Sequence, residues 1–152
     1  MNLKIATIAT LAFFIASLMA TVILAIPEEI LEEDVFITYP AIANFSTDVT
    51  IRHPGWWIAH KLGFATGIGM FFAYAVQRQR SHVIRKGVLT GLASWFLVAA
   101  MYLGLFSVGM LPAEILVWWS IHYIITALVS GYIMGLAVNH WVGMYSSHQF
   151  PS

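Results

Sequence analysis

Two histidines occupy the same position in two copies of a short motif. Trp56-Trp57-Ile58-Ala59-His60 is followed 62 positions later by Trp118-Trp119-Ser120-Ile121-His122, and each copy opens a long apolar run. An imidazole can ligate haem iron or another metal, and it can also relay a proton. Ionisable side chains within membrane helices are functional candidates by default. His60 and His122 are therefore the candidate cofactor-binding residues, and haem or a metal ion is the cofactor that they would hold.

Three roles compete for these histidines. Each could hydrogen-bond across helices to Thr, Ser, Tyr or a backbone carbonyl and so hold a bundle together. The two could instead form a ligand pair for haem or a metal, and a part in quinone binding or proton relay is the third role. His60 shares a helix face with Gly63 and Gly67. These small residues would admit another backbone or a flat cofactor and are expected to serve helix packing.

The second copy of the motif has different surroundings. Gly131 and Gly135 lie nearly opposite His122 on a helical wheel and suit packing against lipid or another subunit. The side of the helix that carries His122 has larger or polar residues: Thr126, Val129, Ser130 and Ile133. A symmetric site around the two histidines is correspondingly less well supported than the repeated motif itself.

The segments that carry these motifs have the composition of membrane helices. Hydrophobic residues make up 60% of the 152-residue chain and charged residues only 9%, whereas a soluble domain has about 25% charged residues. Uncharged apolar blocks of roughly 18 residues or more mark transmembrane helices. The sequence therefore predicts an all-α membrane protein with a single domain over residues 1–152. Its four transmembrane helices are expected at approximately 5–26, 56–77, 88–108 and 115–139.

The first apolar run follows Lys4 and has a secretory signal peptide as its competing interpretation. A signal peptide has an apolar region of about 7–15 residues, followed by small residues at a cleavage site. The run from Ile5 to Ile26 is longer, and no Ala-x-Ala follows it directly. We therefore expect a retained transmembrane helix.

The charged connectors predict the orientation in the membrane. Residues 78–86 hold four of the seven Lys and Arg residues and no acid. Short loops rich in Lys and Arg stay cytoplasmic, which places the acidic segment 27–55 outside and both termini inside. The same four basic residues are expected to contact anionic lipid headgroups: Arg78, Arg80, Arg85 and Lys86.

The outer segment offers a second set of candidate ligands. Residues 28–34 include five of the seven acids of the chain. Carboxylate oxygens with one imidazole could coordinate a metal ion there, and the residues that would do so are Glu28, Glu32, Asp34 and His53. No EF-hand or zincin spacing is present, and docking to a basic loop of a partner explains the same charge.

The tryptophans have a simpler explanation than the histidines. Amphipathic rings at a helix head are typical of the aromatic belt at the membrane–water interface. Trp56, Trp57, Trp118 and Trp119 are expected to form this belt, with each histidine one turn deeper.

The chain also predicts an internal duplication. The second and fourth runs align at an offset of 62, with Gly69 matching Gly131, and the first and third align at 82, with Lys4 matching Lys86. Both copies would run in the same direction, as in a parallel repeat about an axis along the membrane normal. We predict an up-down four-helix bundle from a duplicated helix pair, with the second and fourth helices diagonal to each other.

Few functions are compatible with this composition. No phosphate-binding loop or activated nucleophile is visible, and no acid lies inside the four apolar runs. The leading hypothesis is a small integral subunit or accessory protein of a larger membrane complex, in a prokaryotic plasma membrane and without catalysis of its own. A redox protein with haem or metal between His60 and His122, and a homo-oligomeric channel or carrier, are the alternatives. The expected partners are the bilayer and other membrane subunits or a second copy, and zero net charge argues against nucleic acid.

Overall fold

The described part of the chain is entirely helical. A computed structural model describes residues 2–38, 54–79, 82–109 and 113–148, with side chains for residues 2–24, 55, 58–79, 82–109, 113 and 116–141. Its elements are α1 (Leu3–Thr38), α2 (Pro54–Arg78), α3 (Val83–Ser107) and α4 (Ala113–His148). The predicted all-helical class is confirmed.

Three of these helices are long and apolar enough to cross a membrane. They contain the segments Leu3–Leu24, Val83–Ser107 and Leu116–Trp141, with mean hydropathies of 2.3, 1.8 and 1.7. These are the properties of an integral membrane protein. The remaining helix, α2, is not among them, because His60 and Lys61 lower the hydropathy of its first turns.

Three helix boundaries differ from those expected. The first helix was expected to end near residue 26, but α1 continues through Pro27 to Thr38. An interior proline removes one backbone donor and crowds the carbonyl four residues earlier. The Glu, Leu and Ile residues that follow nevertheless favour a helix. In the same way α3 begins at Val83 instead of residue 88, and α4 continues to His148 instead of 139. Apolar runs mark the membrane-compatible part of a helix, whereas backbone hydrogen bonding continues into polar sequence.

The helices pack in sequence around a ring. The α3–α4 contact is the most extensive, followed by α4–α1 and α1–α2, and α2–α3 is the sparsest. Neighbours are antiparallel, since Phe13 contacts Phe64 while the earlier Thr10 lies against the later Gly69. Within the described residues α1 and α3, and likewise α2 and α4, make no close backbone contact.

The apolar core lies toward one end of the bundle. Phe72 and Met134 are completely buried at its centre, and the α1 residues around Ala9 and Phe13 pack against them. Two of the four α1 residues in this core are alanines, Ala6 and Ala9. The other members of the core cluster are Ile5, Ala6, Ala65, Ala73, Val76, Val83 and Val138.

The backbones of α3 and α4 touch at two facing pairs of glycines. A Cβ on Gly131 would lie 2.5 Å from the carbonyl oxygen of Gly87, and one on Gly135 would lie 2.8 Å from the Cα of Ile84. Gly91 faces Gly131 from the next turn of α3. Lipid offers no hydrophobic drive for helix association, so close backbone packing of this kind supplies the attraction.

Lys86 completes the C-terminal end of α2 from the start of α3. Its Nζ donates to the carbonyl oxygen of Ala75 at 3.2 Å and to that of Gln79. The last carbonyls of a helix have no partner within the helix, and a cation there also opposes the negative end of the helix dipole. One basic residue of the predicted lipid-contacting set therefore has a role within the fold.

We expect Gly131→Leu to destabilise the α3–α4 contact severely. The added side chain meets backbone atoms of α3, which can yield only by separating the two helices. The loss should be at least about 2 kcal/mol, measured as a lower midpoint of thermal unfolding in detergent. Gly104→Leu is the matched control, because open space surrounds Gly104. Equal midpoints for the two variants would contradict the packing described.

Lys86→Met should lower stability by about 1 kcal/mol, because two helix-end carbonyls lose their charged donor. Arg85→Met removes the same charge at the adjacent, exposed position and should have little effect. Denaturant unfolding of both variants measures the difference. A larger loss for the Arg85 variant would show that net charge, rather than the contact with α2, is responsible.

Candidate functional site

A polar cavity lies at the end of the bundle opposite the apolar core. Its volume is about 180 Å³, and all four helices contribute to its wall. The α4 residues recur at a helical spacing of three and four, which places them on one face of the helix. The lining residues are Thr21 from α1, Lys61 from α2, Tyr102 from α3, and Trp119, His122, Tyr123 and Thr126 from α4.

Hydrogen bonds hold the Lys61 ammonium in this cavity. Its Nζ donates to Thr21 Oγ1 at 3.1 Å, and Thr21 Oγ1 donates to the carbonyl oxygen of Ser17 at 2.8 Å. The hydroxyl of Thr21 therefore both accepts and donates. This chain links α1 to α2 and positions a cation at the cavity wall, where a free lysine side chain would have extended to the interface.

Aromatic rings form the rest of the wall. The Tyr102 and Trp119 rings lie 5.5 Å apart at 50°, which joins α3 to α4. Tyr123 meets Phe64 edge to face at 6.4 Å, so side chains of α2 and α4 touch across the bundle. Trp95 Nε1 donates to the carbonyl oxygen of Ser120 at 3.0 Å and fixes the register of α3 against α4 nearby.

Two hydroxyls of α4 continue inward from His122 at intervals of four residues. Thr126 is 3% exposed and Ser130 is completely buried. Neither side-chain oxygen has a hydrogen-bond partner among the residues that the structure describes. Of the two, Thr126 lines the cavity. A buried hydroxyl that lacks a partner costs about 1–3 kcal/mol.

The two histidines of the repeated motif have different environments. His122 is half-buried and lines the cavity, whereas His60 is exposed and does not line it. The described side chains include no group of three or more His, Asp or Glu residues placed to hold a metal ion. Ligation of haem or a metal by His60 and His122 together stays a prediction.

The glycines near the two histidines also differ in their surroundings. Gly131 and Gly135 pack against α3 of the same chain, as described above. Around Gly63 and Gly67, no atom of the described residues lies within 4 Å of the position that a Cβ would take. Together with His60, these glycines form an exposed stripe on α2. Phe71 and Tyr74, which are 58% and 51% exposed, continue it toward the C-terminal end of the helix. The α2 stripe is defined as His60, Gly63, Gly67, Phe71 and Tyr74.

An apolar groove of about 380 Å³ runs beside the α2 stripe, between α2 and α3. It occupies the sparsest of the four helix contacts. Phe64 belongs to its wall, so the contact between Phe64 and Tyr123 divides the groove from the polar cavity. The other residues of the groove are Gly63, Gly67, Ile68, Phe71, Thr90, Ala93, Ser94 and Leu97.

The predicted aromatic belt is described in part. Trp118 and Trp119 are both half-buried. Trp119 lines the polar cavity, and Trp118 Nε1 is buried without an acceptor among the described residues. The side chains of Trp56 and Trp57 lie outside the described part of the structure.

The predicted charged sites are also described in part. Arg78 is exposed, with its guanidinium 5.1 Å from the centre of the Tyr74 ring, and Arg85 is exposed on α3. Arg80 lies outside the described residues. The predicted metal ligands are also outside the described part of the structure. These are the side chains of Glu28, Glu32 and Asp34 and the whole of His53.

Sequence reasoning missed the convergence of four helices on one cavity. The spacing of Trp119, Tyr123 and Thr126 already marks a face of α4. No pattern within α1 or α3, however, indicates that Thr21 and Tyr102 reach the same place, because this depends on how the helices pack.

No protein-family model, no curated protein and no solved structure matches this chain. The fold and the site define it by class: an all-helical protein with three helices able to cross a membrane and a polar cavity at one end of the bundle.

Two Thr→Val variants should distinguish the stability contributions of the two threonine hydroxyls that line the cavity. Thr126→Val is expected to leave the stability of the purified protein unchanged or to raise it by up to about 1 kcal/mol, since that hydroxyl has no described partner to lose. Thr21→Val should cost about 1–2 kcal/mol, because it removes the acceptor of Lys61. Thermal unfolding in detergent compares the two. A greater loss for the Thr126 variant would mean that its hydroxyl is already satisfied within the protein.

Proposed function

We propose that this chain is a non-catalytic integral subunit or accessory protein of a larger membrane complex in a prokaryotic plasma membrane. In this proposal α2 is the fourth membrane span, both termini are cytoplasmic, and the α2 stripe binds a transmembrane helix of a partner subunit. The observation that carries the proposal is the exposed stripe of His60, Gly63 and Gly67, with open space above both glycines.

The chain itself contains the precedent for such a contact. Gly87 and Gly91 on α3 pack against Gly131 and Gly135 on α4, at the same spacing of four residues. Small residues at this spacing let two membrane helices approach closely. Gly63 and Gly67 repeat that spacing on α2, and no described residue lies within 4 Å of a Cβ at either position, which favours a helix from another chain.

His60 supports the same surface. An imidazole on the lipid-facing side of a membrane helix is costly, and such groups usually face protein. A partner helix on the α2 stripe would cover His60 and could supply a hydroxyl or carbonyl oxygen to it. The half-open groove between α2 and α3 extends the area that this helix would bury.

The proposed duplication is supported by equivalent contacts in the two halves. Gly69 and Gly131, which the repeat matches, each lie against the first helix of their own pair: Gly69 against Thr10 and Gly131 against Gly91. An offset of 82 between the first helices would pair Thr10 with Leu92, which is one residue from Gly91 and five from Gly87, the residue nearest to Gly131. The halves differ in that the α1–α4 contact is extensive and the corresponding α2–α3 contact is sparse. That difference leaves one side of the bundle available.

Gly67→Leu should abolish co-purification of the partner from membranes solubilised in mild detergent. The added side chain fills the space that the partner backbone would occupy, while the isolated chain should unfold at the same temperature as before. Gly104→Leu, the same change at an open position on α3, should keep the partner. Mass measurement of the detergent-purified complex identifies what is lost.

Recovery of the unmodified chain only as a free monomer would contradict the proposal. So would a partner that both glycine variants retain equally. Loss of a second copy of this chain, rather than of another protein, would indicate the homo-oligomeric alternative.

A further inference from the structure

The donors around the polar cavity suit a negatively charged group. Lys61 contributes an ammonium, Tyr102 and Tyr123 contribute phenol hydroxyls, and Thr126 contributes an aliphatic hydroxyl beside the His122 imidazole. No carboxylate is among the described residues that line the cavity. Hydrogen bonds from such donors to an ionised acceptor are roughly twice as strong as those between neutral groups. A low-dielectric membrane surrounding strengthens the attraction further.

The Thr126 hydroxyl points to an occupant of the cavity. It is nearly completely buried, lines the cavity, and has no hydrogen-bond partner among the described residues. An acceptor oxygen in the cavity would satisfy it. The Lys61 ammonium is already oriented by Thr21 and Ser17, so binding would require little ordering of that side chain.

The size of the cavity suits a small ligand group. Its volume of about 180 Å³ is well above the roughly 10–15 Å³ that one water molecule needs. This is enough for a phosphate or carboxylate group and a few attached atoms. The Tyr102–Trp119 ring pair at the wall suits the apolar part of such a molecule.

We infer that this cavity is a binding site for an oxyanion, carried by a lipid headgroup or free in solution as phosphate. Lys61 and Thr126 are the residues that recognise it. The inference concerns a different surface from the α2 stripe and does not rest on the proposed function. Loss of one property would therefore leave the other intact.

Ligand-induced stabilisation tests the inference directly. The delipidated full-length protein in uncharged detergent is heated with inorganic phosphate in one arm and with short-chain phosphatidylglycerol in the other. A ligand that binds only the folded state raises the unfolding midpoint in proportion to its occupancy. We expect a saturable increase in at least one arm. An increase with the lipid alone identifies a headgroup site, and an increase with phosphate, alone or in both arms, identifies a site for the anion itself.

Variants show whether the effect arises in this cavity. Thr126→Val should weaken the apparent affinity about tenfold, since one hydrogen bond to a charged acceptor is lost. Lys61→Met should weaken it at least as much. Thr90→Val is the matched control, because Thr90 is also a buried threonine but lines the apolar groove, and its affinity should be unchanged. The absence of stabilisation in both arms, or equal affinity of the Thr126 variant and the unmodified protein, would overturn the inference.

Discussion

The close approach of α3 and α4 at their glycines is the contact on which the rest of the described bundle depends. A side chain at Gly87 or Gly131 would meet backbone of the facing helix. The approach sets the register between the two helices. That register then brings Trp95 to the carbonyl oxygen of Ser120, and Tyr102 to Trp119, further along the same pair. The wall of the polar cavity is thus a consequence of packing that occurs at the opposite end of the α3–α4 contact.

The two ends of the bundle differ in polarity. One end is filled with small apolar residues of α1 around Phe72 and Met134, and its packing resists the entry of water. The other end gathers a lysine, a histidine, hydroxyls and aromatic rings around a cavity. In a membrane such groups are stable only where they bind one another or a ligand, because lipid supplies no hydrogen bonds. The lysine, the histidine and the hydroxyls at the cavity are therefore placed where they can bind one another or a ligand.

Two surfaces with different requirements follow from this arrangement. In the two proposals, the polar cavity would select its ligand by charge and hydrogen bonding, and the α2 stripe would select its partner by shape, through Gly63 and Gly67. The Phe64–Tyr123 contact lies between the cavity and the groove beside the stripe. A bound partner helix and a bound oxyanion could therefore be present together. The same ring contact joins α2 to α4.

The sequence by itself determined that the described chain is helical and that Thr126 and Ser130 share a face with His122, since these follow from composition and helical periodicity. It predicted four membrane-crossing helices, and three of the described helices are long and apolar enough to cross a membrane. Tertiary structure alone decided which of the repeated features face inward. His60 and His122 stand at the same position of one motif, yet only His122 lines the cavity. Likewise Gly131 packs within the chain and Gly67 does not. A helical wheel shows which residues share a face, but only the positions of neighbouring helices determine what that face meets.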